Sequence, residues 1–205
     1  MATAERKRPW YLVFALLGAL AFGANGARYG WNLIALYREP VDTSLAGQGI
    51  ADDADRAAVV ARMDAYVRTL DAAKARGWPF GVATLLLGGA TLFFVMRTMG
   101  GSAGARTALV QLVVAQAGLN AAGHWLLRDV DEAGLRVAEA EKGARAHEDG
   151  PDKPWTDDKY RLDVKLLRAE GLAVEMIGSC LVVLGLTRRR VRDFFESATA
   201  AIGER

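Results

Sequence analysis

Gln116, Asn120 and His124 stand four apart in one apolar block, which stacks two amides and an imidazole along a single helical face. Glu170 borders another block and Glu175 lies within it, and Asn25 and Arg28 close a third. An imidazole near a carboxylate can pass protons, but a catalytic constellation also needs a nucleophile or a metal set within reach. Nothing of that kind accompanies His124 and Glu175, so no catalytic residue is assigned and the chain is not expected to be an enzyme. A single cysteine, Cys180, excludes an internal disulfide and thiol oxidoreduction by a cysteine pair. Two histidines cannot supply the axial nitrogens of a two-haem membrane cytochrome, and no C-x-x-C-H, H-E-x-x-H or G-x-x-x-x-G-K-[ST] run occurs. Neither a cofactor nor a metal site is expected.

The elements that carry these groups follow from where the apolar residues sit. A hydrophobic fraction of 52 % with a net charge of +2 resembles a soluble protein, but the apolar residues are concentrated in four blocks. The blocks predict membrane-spanning helices at 10–28, 78–97, 106–127 and 171–188, each near the roughly 20 residues that cross about 30 Å of hydrocarbon. The expectation is an all-α integral membrane four-helix bundle, a single membrane domain over 1–205, with the lipid bilayer as its first partner. The run Glu5-Arg6-Lys7-Arg8 before the first block resembles a secretion signal, but apolar character resumes over 29–37, so the helix is read as retained.

Charge sets the orientation. Segments 1–8, 97–106 and 188–205 hold ten basic residues against four acidic ones, whereas 38–76 and 128–170 hold fifteen against nineteen. Basic residues flanking short loops stay on the cytoplasmic side during insertion. Both termini and the tail 188–205 are therefore expected in the cytoplasm of a cell with this protein in its inner membrane, and the loops 38–76 and 129–169 outside. The excess positive charge lies beside the apolar blocks, where anionic headgroups are the natural counter-ions, so nucleic acid is not an expected partner. Arg188, Arg189, Arg190 and Arg192, followed by Phe194 and Phe195, predict a short interfacial helix on the headgroups.

The outer loops are themselves helical in pattern. Over 52–76 the residues Val59, Val60, Met63, Tyr66, Val67 and Leu70 recur at helical spacing, with Asp52 or Asp53 placed as the cap and Gly77 and Pro79 as the stop. The stretch 130–146 reads as a continuation of the third span, 147–155 as a turn, and Thr156 as the cap of a helix entering the fourth span. Together they make a small helical extracytoplasmic cap. The two halves also match: Gly23, Asn25 and Ala27 with Gly118, Asn120 and Ala122, and Trp31, Tyr66 and Gly77 with Trp125, Tyr160 and Gly171. This suggests tandem duplication of a two-helix hairpin, with chance matching among many Ala and Gly as the equal alternative.

Glycines spaced by seven, Gly23 and Gly30, Gly81 and Gly88, and Gly171, Gly178 and Gly185, predict close helix seams. Gly26 and Gly30 also form a G-x-x-x-G pair, for which packing within the chain is the plainer reading and contact with another subunit the alternative. At about 1.5 Å of rise per residue, Arg28, His124 and Glu170 come out near 27 Å from the inner edge, and Asn25, Asn120 and Glu175 at roughly 20 to 23 Å. Arg28 is the expected partner of Glu175, with Glu170 and His124 at the rim. Arg28 and Glu170 are near enough to the interface to snorkel. A charged residue at the centre of a span costs roughly 2.5 to 3.5 kcal/mol and is a functional candidate by default. Helix locking is the plainer role for this set, and a ligand, lipid or ion site the sharper one. The expected function is that of an accessory, scaffolding or signal-relay subunit with a protein partner or self-association. The rivals are a small transporter or channel lined by the polar set, and an enzyme acting on a lipid.

Overall fold

The computed structural model describes residues 9–148 and 157–203. Six helices form: α1 (Trp10–Arg38), α2 (Asp53–Met99), α3 (Ala103–Leu126), α4 (Arg128–Glu148), α5 (Asp157–Thr187) and α6 (Arg189–Gly203). No strand occurs among the described residues. Three helices are long and apolar enough to cross a membrane: α1, α2 and the Tyr160–Thr187 part of α5. With 24 residues α3 has the length, but Gln111, Gln116 and Asn120 dilute its apolar character. Four spans were expected; three meet the criteria of length and composition.

The chain divides into two compact units. The first holds Met1–Asn32, Gly81–Ala121 and Ala173–Arg205, and the second Leu33–Phe80 and Ala122–Leu172. In the first unit the buried residues of α1 step by three and four, from Leu12, Leu16 and Ala19 through Gly23, Gly26 and Gly30. Those of α2 do the same through Gly81, Thr84, Gly88, Thr91, Val95 and Thr98. This is the alternation of a heptad seam, here built from small residues. The two helices run antiparallel, with Gly23 across from Gly88 and Gly30 across from Gly81. A Cβ on Gly88 would lie 2.7 Å from the Gly23 carbonyl oxygen, and one on Gly30 2.6 Å from that of Gly81. Backbone touches backbone, so no side chain can move aside to make room. Lipid tails are as apolar as leucine, and such close approach is what holds membrane helices together.

The seam on α5 is shorter than expected. Gly178 lies under the Phe22 ring and Gly185 against Ala15, while Gly171 has open space around it. Gly26 and Gly30 are both consumed within this unit, against Gln116 and α2, which removes the reading that they wait for another subunit. The terminal helix α6 forms as expected from the sequence, but it turns its apolar face inward. Val191 and Phe195 are buried in one cluster with Leu12, Leu16, Leu109 and Leu186. The outside of the unit is apolar instead: Phe14, Leu86, Phe93, Met96, Val174, Leu181 and Leu184 are all exposed. A water-soluble surface does not carry so many large apolar side chains on adjoining helices; hydrocarbon accommodates them.

In the second unit Asp52 is the cap of α2. Its Oδ1 accepts the backbone N–H groups of Ala54 at 2.8 Å and Asp55 at 2.9 Å. Those two donors, Asp55 first, hold the carboxyl below the usual aspartate range. The cap's contribution is thus complete above the unfolded pKa of about 3.9 and is lost as pH falls through the lower folded value. The N-terminal part of α2 then runs antiparallel to α4. Asp55 meets His147, Tyr66 covers Gly134, and Arg76 pairs with Asp129, while Ile50, Val59 and Ala144 form the apolar contact. Gly77 and Pro79 do not stop the helix: α2 is continuous over 47 residues. Pro79 removes one N–H from the ladder, and the helix is held by packing on both sides of that gap. Gly77 serves packing, since a Cβ there would enter the Tyr37 ring. The stretch 130–146 is helical as expected, separated from α3 by one turn residue, Leu127. The expected turn 147–155 and the Thr156 cap fall largely outside the described residues.

Gly88→Leu is expected to destabilise the fold by at least the 1–3 kcal/mol typical of overpacking, read as a lower midpoint of thermal unfolding in detergent. Gly118→Leu, at a glycine with nothing within 4 Å, is expected to leave the midpoint unchanged; equal effects would contradict the seam.

Candidate functional site

Of the six polar residues singled out from the sequence, Asn25, Arg28, Asn120 and Glu175 belong to the first unit, and His124 and Glu170 to the second. One pair among them is hydrogen-bonded: the Asn120 amide on α3 donates to the Glu175 carboxylate on α5. Both side chains are half-buried, and Asn120 Oδ1 is a buried acceptor with no hydrogen-bond partner. The expected Arg28–Glu175 ion pair is not formed among the described residues. The reason is rotational. The buried stripe of α1 passes through Gly26 and Gly30, and Arg28, two residues from each, falls on the opposite side and is exposed. Asn25, His124 and Glu170 are exposed as well.

Gln116, one turn before Asn120, does more than any residue in that set. Its side chain is 3 % exposed. Nε2 donates to the Phe22 carbonyl of α1 at 2.7 Å. The Thr91 hydroxyl of α2 lies 3.2 Å from Gln116 Oε1 and 2.8 Å from the Leu87 carbonyl, and can donate to either. One amide thereby joins three helices. The Phe22 carbonyl belongs to the α1 backbone, and a carbonyl has a second lone pair for an incoming donor. Gly26 gives the access, because a Cβ there would collide with Gln116 Nε2. The sequence carried the signal in the coincidence of Gly26, a seven-residue threonine repeat (Thr84, Thr91, Thr98) and a glutamine on an apolar helix.

At the other end of this unit Arg188 places its guanidinium 5.2 Å from the centre of the Tyr11 ring. Arg106 donates to the Leu186 carbonyl at 3.2 Å and stands 5.9 Å from the Phe195 ring. Arg188, Arg189, Arg190 and Arg192 are all exposed, as headgroup contacts would have to be. Among the described residues no group of three or more His, Cys, Asp or Glu could hold a metal ion. Asn120 and Glu175 offer hydrogen bonding and charge, with Ser179 buried one turn along α5.

The second unit has a polar cleft of about 390 Å³ between α2, α4 and the start of α5. Arg161 grips Glu139 there through Nε and Nη2 at 2.7 and 2.9 Å, and the Glu139 side chain is only 7 % exposed. Lys142 lies 4.3 Å from the centre of the Tyr160 ring.

Gln116→Leu is expected to lower stability by about 1–2 kcal/mol, at the upper end of interhelical polar contacts in membranes, measured by unfolding in mixed micelles. An unaltered unfolding curve would show that the amide locks nothing.

Comparison with known proteins adds no relative to this geometry: no family model, no curated protein and no solved structure matches the chain.

Proposed function

We propose that the chain is a four-span membrane protein, with α3 as the fourth span, that works without catalysis as an accessory, scaffolding or signal-relay subunit. Both termini then lie on the cytoplasmic side of the inner membrane, and the polar unit of α4 and the N-terminal parts of α2 and α5 lies outside. Charge asymmetry along the sequence supports this orientation.

The observation that carries the partner reading is the exposure of Asn25 and Arg28 on a helix otherwise apolar enough to cross the membrane. Polar groups facing hydrocarbon are costly, and neither side chain makes a hydrogen bond or ion pair among the described residues. A second helix surface laid against that side of α1 would relieve the cost. The outer face of α5 is more open still, with only 17 % of its most apolar stretch buried against 33 % for α1 and α2, but it is apolar and can face lipid without a partner.

The transporter reading has one observation in its favour, the unpartnered Asn120 Oδ1 beside Glu175. The described clefts are lined by other residues, and the partner reading is the stronger.

Native mass spectrometry of the protein released in mild detergent is the test. The expected result is an assembly heavier than one 22.0 kDa chain, reduced to the single chain by Asn25→Leu combined with Arg28→Gln. A wild-type protein found only as the single chain would contradict the proposal.

A further inference from the structure

The cleft of the second unit is unevenly charged. Three guanidinia, of Arg62 on α2, Arg136 on α4 and Arg161 on α5, border it together with two carboxylates, of Asp55 and Glu139, and the His147 imidazole. Both carboxylates are occupied: Glu139 by the fork of Arg161, and Asp55 by His147 Nδ1 at 3.0 Å. Arg62 and Arg136 form no ion pair among the described residues. For Arg136 the acid one turn back, Glu132, is hydrogen-bonded to Arg128 at 2.8 Å and is within electrostatic reach of Arg136 without pairing to it. For Arg62 the positions three and four away on either side are Ala58, Val59, Ala65 and Tyr66, none of them acidic.

Two guanidinia without an ion pair among the described residues therefore border one concave space whose walls are tied by other pairs. The Glu139–Arg161 fork holds α5 to α4, and the Asp55–His147 contact holds α4 to α2. A planar guanidinium offers paired N–H groups that match an oxyanion edge. A cleft with excess positive charge concentrates such anions, and 390 Å³ has room for a small one. We infer that this cleft binds a phosphate group, held by Arg62 from α2 and Arg136 from α4. The phosphate is either that of a small solute or that of a lipid headgroup. This site is independent of the partner reading above and can stand if that reading falls.

The test uses the full chain in nanodiscs of phosphatidylcholine, titrated with inorganic phosphate at constant ionic strength and followed by thermal unfolding. A parallel set contains phosphatidylglycerol and no added phosphate. The expected result is a saturable rise of the midpoint in one set or both. It is lost, or shifted at least tenfold in concentration, in the double variant Arg62→Gln with Arg136→Gln. Arg145→Gln, an exposed arginine of α4 outside the cleft, should respond like the wild type. A rise with inorganic phosphate identifies a solute site, and a rise with phosphatidylglycerol alone a headgroup site. No saturable rise in either set, or an equal rise in the double variant, overturns the inference. Both substitutions are on exposed side chains, and the midpoint without ligand reports whether the double variant is folded.

Discussion

The first unit depends on α1 and α2 meeting backbone to backbone. Glycines at 23, 30, 81 and 88 let the two helices come within a distance that any side chain would block. In lipid there is no hydrophobic gain from pairing two apolar helices, so the attraction must come from packing and polar contacts at short range. The close approach sets the rotation of both helices. It brings Gly26 toward α3 and puts Thr91 on the same buried stripe of α2 as Gly88, and from these two positions Gln116 finds its acceptor and its donor. It also sends Asn25 and Arg28 to the outside of α1.

Polar groups consequently have two fates. Gln116 is enclosed and bonded to partners from two other helices, which makes it a structural clamp. Asn120 and Glu175 are half-enclosed and satisfy each other in part, leaving an acceptor over. The second unit shows the same contrast in a polar setting. Its Glu139–Arg161 and Asp55–His147 pairs are closed, while Arg62 and Arg136, beside a cleft, form no ion pair among the described residues. In both units the groups not consumed by folding are the ones available to other molecules.

Much of this was legible in the sequence. Asp52 caps α2, the heptad glycines of α1 and α2 face each other, and the run beyond Asp52 is helical, each from a local rule of spacing or hydrogen bonding. Counting rise per residue gives depth along a helix but not direction around it, and for that reason Arg28 was matched to Glu175 by height alone. The glycine stripe of α1 held the missing angle. The role of Gly77 was hidden for a different reason: it lies under Tyr37, a contact between residues forty apart in sequence. The paired positions of the two halves have unlike surroundings. Gly23 is packed while Gly118 is open, and Asn25 is exposed while Asn120 is bonded.

The account stands on the outer face of the α5 span lying in hydrocarbon, and the protein carries its own reporter there. Cys180 is exposed on α5, beside exposed Ile177, Leu181 and Leu184. A maleimide reacts with the thiolate, which needs water to form. In intact membranes a water-soluble maleimide is predicted to leave Cys180 unmodified, and to label it fully once the protein is unfolded in dodecyl sulfate. Rapid labelling in the intact bilayer would contradict the account.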